Sequence, residues 1–548
     1  MRITRRSFLL GTGLAAASGG AGLWLRHEQF PMRELTPKID YPGMREGHLL
    51  RDAGALPPSS GTLETEVAIL GSGAAGLSCA WRLAKSGHRH FLMIDGPEFG
   101  GNADGGNFGE LRYPRGAHYL PLPSMESTHV REMLADFGVI EANPMSEKPT
   151  FDERVLLHAP DERLLYKGEW QEGFVPATRL TADEAAQTKR FFQHVDSLKA
   201  ARGADGRKLF AIPLALSSQD PAWTRLDAQN FKAWLLENGY TAPSLHWYLD
   251  YICRDEYGTE YDRISAWCGM HYFASRAGRA ANAGEGAVLT WPNGLQPMVQ
   301  HLADAVTSYF GPDKPWRQTG FAAHIEETPQ GVEILCARET PSGLQSYTVK
   351  ARRAVCAMPL MVTTHIVPHI AGYGFDAATH MPAHAPWLVS NFLLNGFPTE
   401  LKGAPLAWDN VAYDGRGLGY VVSTHQDIRV AAPPQTVFSA YQALSRQTPS
   451  AARRWLTSAT PHALYEEAAC DLKLAYGDKL AEHATALEIT VRGHAMSSPS
   501  PGFLSNRGLA ALRAADGKLL FAHSDLSSFS VFEEAAWWGC EAARKILA

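Results

Sequence analysis

The sequence predicts an α/β protein, a Rossmann-type dinucleotide-binding domain assembled from discontinuous segments and joined to a mixed α+β substrate domain. Three observations carry this. A short apolar run, Glu66 to Leu70, leads straight into Gly71-Ser72-Gly73-Ala74-Ala75-Gly76. An acid, Asp95, follows 19 residues after Gly76, at the end of a second apolar run. A strand, a polar loop and a helix-like segment then close the chain at 519–548, after a long and dissimilar middle.

With 548 residues, 45% hydrophobic and 20% charged, the chain has the balance of a folded protein and material for roughly two to four domains. A net charge of −6, with no cluster of Lys and Arg interleaved with aromatics, argues against nucleic acid as a partner. The seven cysteines are odd in number, widely spaced and without a C-x-x-C pair, so neither a disulfide framework nor a zinc ribbon is expected.

Residues 1–26 are separate in character. Thr4-Arg5-Arg6-Ser7-Phe8-Leu9-Leu10, before a run diluted by Gly and Ala, resembles the twin-arginine signal. That resemblance implies export of a folded protein by the twin-arginine machinery to the bacterial periplasm. The alternative is an uncleaved anchor in the inner membrane. Residues 27–62 are Pro-rich and read as a linker or surface wrap.

The G-x-G-x-x-G spacing has a task for each glycine. Gly71 makes the tight turn, Gly73 lets backbone approach a pyrophosphate, and Gly76 lets the helix lie close to the strand. The helix runs on through Leu77, Ala80, Leu83 and Ala84 to a cap at Gly87, with its N-terminal N–H groups toward the phosphates. Asp95 stands where an acid accepts the ribose hydroxyls of an adenine dinucleotide. This unit does not choose between NAD and FAD.

The stretch after Asp95, "GPEFGGNADGGNFGELRYPRGAHYLPLP", reads as a second backbone nest near the phosphates. From here the chain resembles the flavin-containing amine oxidase and phytoene desaturase superfamily. Gly100-Gly101-Asn102 stands for that family's Gly-Gly-Arg loop, with Asn102 as a neutral substitute, and Gly116-Ala117-His118-Tyr119 for its strand beside the flavin ring. "WPNGLQPMVQHLADAV" (291–306), "GFAAHIEETPQGVEIL" (320–335) and "ARRAVCAMPLMV" (351–362) follow in the family's order. The resemblance implies bound FAD in a glutathione reductase-like fold, with Ala323 near the adenine pocket and Gly71, Gly73, Ala75, Gly76, Asp95, Gly101, Asn102 and Ala117 around the cofactor.

"KLLFAHSDLSSFSVFEEAAWWGCEAARKIL" resembles the family's closing strand, acidic loop and helix. Asp525 falls where an acid holds the ribityl–phosphate arm, and Val531 and Phe532 where helix N–H groups meet the flavin ring. Ser530 and Glu533 have capping-box spacing, which predicts a helix starting after Ser530. Phe532, Ala535, Ala536, Gly539, Cys540 and Ala543 share one face, mostly small, suited to close approach to a sheet. Implied boundaries are 63–124, 286–365 and 486–548 for the FAD-binding domain and 125–285 with 366–485 for the substrate domain.

The substrate half is less legible. A helix is expected at 225–239, and Trp247, Tyr251, Tyr257 and Trp267 read as core more than pocket. Arg254 and Asp255 read as a structural ion pair, or as a pair orienting a polar substrate. Residues 408–427 look like an edge hairpin whose His425 and Gln426 point toward a pocket. His365, His369, His380 and His384 make two i,i+4 pairs, yet Pro368 and Pro382 break the helices that a shared metal needs, so no metal is expected.

His118 and His523 are the candidate catalytic residues, since imidazole exchanges protons near neutral pH. Each has a structural or cofactor-contacting alternative. Val531 stands where amine oxidases carry an aromatic ring, and no lysine lies between Pro359 and Lys402, where those enzymes often have one. The expected function is an exported FAD-dependent oxidoreductase removing hydride from a small substrate, an amine or polyamine by analogy. The alternatives are a non-redox FAD-binding isomerase or periplasmic binding or assembly protein, and an NAD-dependent dehydrogenase.

Overall fold

The computed structural model describes residues 35–52, 54–311 and 314–548. The twin-arginine reading falls outside them. Two sheets organise the described residues. The first has the strand order Arg317–Gln318, Phe91–Ile94, Ser59–Leu70, Gly343–Cys356, Gly331–Thr340 and Phe321–Thr328, with Leu519–Phe521 also paired to Gly343–Cys356. Its parallel part joins the 59–70, 91–94, 343–356 and 519–521 strands, segments far apart in sequence. Val67 to Leu70 is wholly buried, as a parallel strand covered on both faces requires. That strand starts at Ser59, seven residues before the apolar run, because its polar first half pairs along the long 343–356 strand.

The second sheet has eight strands, in the order Lys38–Asp40, Ala484–Ser498, Ala383–Asn395, Gln435–Ala443, Tyr420–Val422, Asp409–Ala412, Glu162–Tyr166 and Glu169–Glu172. Lys38–Asp40, within the stretch read as linker or wrap, is its edge strand. The expected edge hairpin is present but internal, since Glu162–Glu172 continues the sheet beyond Asp409–Ala412. The helix expected at 225–239 is broken into a 3₁₀ turn, Arg225–Ala228, and a helix, Phe231–Glu237, capped by Asn230. A two-stranded ribbon, Tyr119–Pro121 against Val288–Thr290, lies beside the glycine-rich segment.

The closing helix spans Phe532–Leu547 with Val531 as N-cap and no side-chain cap. The capping box does not form, because Ser530 Oγ accepts the Ser497 N–H at 2.8 Å and Glu533 is buried. The small-residue face packs on the helix Ala74–Lys85, not on a sheet. A Cβ on Gly539 would stand 2.1 Å from the Ala75 carbonyl oxygen. Gly539→Ala is therefore expected to destabilise the fold by about 3 kcal/mol, the upper range for overpacking, seen as a lower thermal midpoint. An unchanged midpoint would mean that the two helices separate freely.

All seven cysteines are unpaired, and no helix among the described residues is long and apolar enough to cross a membrane.

Candidate functional site

The strand ends Leu70, Cys356 and Phe521 are register neighbours at one edge of the parallel sheet. Ligands of open α/β sheets bind outside such carboxyl ends. Gly71 turns there with φ 108°, and a Cβ on Gly76 would lie 1.9 Å from the Gly71 oxygen, so both positions exclude side chains. Gly73 differs. Its backbone is extended, φ −73° and ψ −179°, and an added Cβ would meet nothing within 4 Å. That open space over the helix N-terminus is the cradle a diphosphate needs, so the loop fits a dinucleotide. Gly100 bridges to Gly73, and Gly101 with φ 57° lies beside it. The two glycine segments thus line one space, while the Ala75 side chain is buried at the helix packing surface.

Asp95 ends the second strand as expected, but both its oxygens accept from Arg317, at 2.8 and 3.1 Å. A carboxylate has about four acceptor sites, so ribose hydroxyls still find room. Asn102 does not turn its amide to a phosphate. Its nitrogen donates to the Ala495 carbonyl at 2.6 Å and its oxygen accepts from Arg492 at 3.2 Å. Arg492, from the second sheet, also pairs with Glu98 at 2.7 and 2.9 Å and donates to the carbonyls of Gly101 and Arg115, so a distant guanidinium holds the loop from behind. Ala323 packs with Phe321 and Ala337 under Leu49, Leu50 and Leu56. A β-bulge at Ala322–His324 shifts that strand's register, and Ala323 is 8% exposed, so it presents no open pocket wall.

Gly116 accepts no side chain, since a Cβ would stand 2.1 Å from the Asn102 oxygen. Ala117, next to it, is exposed, and Val531 is half-buried while Phe532 is buried. His118 is half-buried, yet burial lowers its pKa to about 3. Accessible surface together with strong desolvation places it in a recess. Its ring lies 4.5 Å from Tyr441, 5.1 Å from Tyr119 and 5.4 Å from Trp408. A base poised near neutrality is not what this surrounding makes. His118, expected as a base or substrate-orienting group, stands as a desolvated imidazole among three aromatic rings.

The recess continues into the second sheet. Glu162 and Asp409 are register partners on adjacent parallel strands, so their side chains leave the same face. Glu162 is exposed in surface terms, but burial, then Asp161 and Asp255, raise its pKa to about 7. Asp255 is raised to about 7 by burial and then Glu256, against the pull of Arg276 and Arg254. Asp409 is pushed well above the carboxylate range by burial, then by Asp255 and Glu162. None of the three has an ion-pair partner among the described residues. Arg254 pairs with Asp250 at 3.0 Å, not with Asp255, because i,i+4 places them on one helix face. Arg276 donates to Glu256 at 2.6 Å and stacks 4.0 Å over Tyr272. Tyr251, Tyr257 and Trp267 are buried core, while Trp247 stacks 4.5 Å from Tyr413.

Asp525 is buried and accepts the Leu360 N–H at 2.9 Å. Burial would raise its pKa, but His523 and His384 outweigh it and hold it well below the usual range. His384 thus belongs to an acid, and His380 caps Asp376. No group of three or more metal-ligating side chains assembles among the described residues. His425 Nε2 donates to the His158 carbonyl, 2.8 Å away, and Gln426 donates to the Leu156 carbonyl, so both serve the backbone. Asp255 was singled out in sequence as half of a pair with Arg254, but Glu162 and Asp409, and the grouping of the three, were not legible there. They are up to 247 residues apart and carry no motif.

A model of the NAD(P)-binding Rossmann-like domain matches residues 69–137. A search of curated proteins gives no match. Among solved structures, wild-type putrescine oxidase bound to putrescine is similar at 16% identity, with TM-score 0.61, covering 89% of this chain and 99% of that one. Cyclohexylamine oxidase from Brevibacterium oxydans IH-35A is similar at 16% identity, TM-score 0.58, covering 88% and 99%. A conjugated linoleic acid (CLA)-producing fatty acid isomerase from P. acnes is similar at 15% identity, TM-score 0.56, covering 88% and 99%. The fold of this chain is therefore the one these structures share, over nearly its whole length.

Proposed function

We propose that the protein is an FAD-dependent oxidoreductase that removes hydride from a small amine or polyamine. The observation that carries the amine is the trio Glu162, Asp255 and Asp409, none of them in an ion pair among the described residues, beside the ring cluster of His118, Tyr441 and Trp408. Carboxylates and aromatic faces both attract an ammonium group. A fatty-acid carboxylate would meet like charges there, which disfavours the isomerase reading.

FAD, when bound, would supply the two-electron chemistry. Gly71, Gly73, Gly76 and Gly101 would hold it by backbone, and Asp95 by the ribose. The chain's own part is to bind and orient. Glu162 and Asp255, once ionised, anchor the cation, the neutral Asp409 accepts a hydrogen bond, the aromatic rings exclude water, and His118 stays uncharged so that it does not repel the ammonium. The N–H groups of Val531 and Phe532, left without helical partners at the start of the closing helix, stabilise negative charge that develops beside them. The twin-arginine-like start supports export of the folded, cofactor-loaded protein to the periplasm.

The absorption spectrum of protein purified with its native cofactor tests this reading. Flavin bands that bleach anaerobically on adding a diamine are expected. A colourless protein, or a flavin that no amine reduces, would overturn it.

A further inference from the structure

Asp525, read in sequence as the ligand of the cofactor's arm, spends its side chain elsewhere. Its Oδ2 faces three groups: the Leu360 N–H at 2.9 Å, His384 Nε2 at 3.2 Å and His523 Nδ1 at 3.3 Å. Only 2% of the side chain is exposed. His384 is also enclosed, with 5% of its side chain exposed. The acid is sealed behind two imidazoles.

His523 is the outermost of the three, with 23% of its side chain exposed. His523 Nδ1 lies 3.1 Å from the Asp525 backbone nitrogen and 3.3 Å from its Oδ2, so Nδ1 is committed to Asp525 and Nε2 is the ring nitrogen left to face outward. That Nε2–H has no partner among the described residues. His523 stands two residues beyond the end of the 519–521 strand, at the same sheet edge as the Gly71–Gly76 loop. Two strand spacings, about 10 Å, separate them. Residues 96–101 hold no Lys or Arg to meet phosphate, and Asn102 is turned away.

Resting on the flavin reading above, we infer that His523, not Asp525, meets the cofactor, its Nε2–H donating to a phosphate oxygen while Asp525 and His384 act behind it as positioning residues. The histidine replaces the glycine usual in the resembled family, so this contact belongs to this chain.

Stripped protein is titrated with FAD and with riboflavin, following flavin fluorescence. His523→Asn keeps an acceptor for the Asp525 N–H but is too short to donate outward, whereas His523→Gln places an amide nitrogen near the Nε2 position. Asn is expected to weaken FAD binding about tenfold, worth about 1.4 kcal/mol, with riboflavin unchanged and Gln restoring FAD. Equal loss of both flavins in the Asn variant, or no loss of FAD, would overturn the assignment. Asp525→Asn is the second arm, because it retains an acceptor for Leu360. A smaller FAD loss than in the His523→Asn variant is expected, and a larger one with riboflavin retained would return the contact to the acid. Wild-type protein that binds neither flavin would instead overturn the flavin reading itself.

Discussion

Gly73→Val is expected to leave the protein folded and strip it of cofactor. The extended backbone at Gly73 suits a β-branched residue, and its Cβ would project into space with no neighbour within 4 Å. The fold therefore tolerates the side chain. The diphosphate does not, since the valine would occupy the approach to the N–H groups at the start of the Ala74–Lys85 helix. Losing two hydrogen bonds to a charged group costs about 3–4 kcal/mol, roughly 100- to 1,000-fold in affinity. Flavin content by absorbance, with a thermal melt of the stripped proteins as the folding control, reads the outcome. Full flavin occupancy in the valine variant would move the phosphate site away from this loop. Gly76→Val differs because its Cβ, 1.9 Å from the Gly71 oxygen, would disrupt the turn itself.

Amine binding is expected to strengthen as pH rises from 6 to 8. Glu162 and Asp255 titrate near 7, raised there chiefly by burial. An acid with a raised pKa is neutral below it and charged above it, so the recess gains negative charge across this window. An alkyl ammonium keeps its proton throughout, with a pKa near that of lysine, about 10.4. kcat/KM for a diamine should therefore rise between pH 6 and 8. In the Glu162→Gln/Asp255→Asn double variant the rise should flatten. KM should increase by about 10- to 100-fold, the equivalent of one hydrogen bond to a charged group at about 1.5–3 kcal/mol. A neutral substrate preferred by the double variant, or a wild-type profile that falls over this range, would remove the carboxylates from substrate binding. The residues act together, since Asp409 responds to both Asp255 and Glu162, so single variants are expected to be non-additive.

The outline of the cofactor side was legible in sequence because its demands are local. A turn that needs φ 108° at Gly71 and a helix that starts three residues later leave their mark in adjacent residues. The strand pair around Gly331 and the helix after Gly294 were legible for the same reason. Readings that needed a partner from far along the chain went astray. Ser530 looked like a cap until Ser497 took its hydroxyl, Asn102 looked like a phosphate ligand until Arg492 and Ala495 took its amide, and Arg254 chose Asp250 over its neighbour. His118 looked like a base because its spacing is that of a cofactor-side residue. Burial lowers its pKa, and sequence order says nothing of that burial or of the Tyr119, Trp408 and Tyr441 rings around it.

By itself, then, the sequence determined the dinucleotide loop, the order of the segments that build the parallel sheet and a closing helix with one small-residue face; that this face seats on the Ala74–Lys85 helix was decided by the fold. Only the tertiary structure decided that Glu162 and Asp409 stand in register with Asp255 nearby, and that Asp525 is sealed behind His384 and His523. The physical reason is range. Backbone conformation is set over a few residues, whereas a site's charge and solvation are set by side chains that meet only when distant strands have found their register.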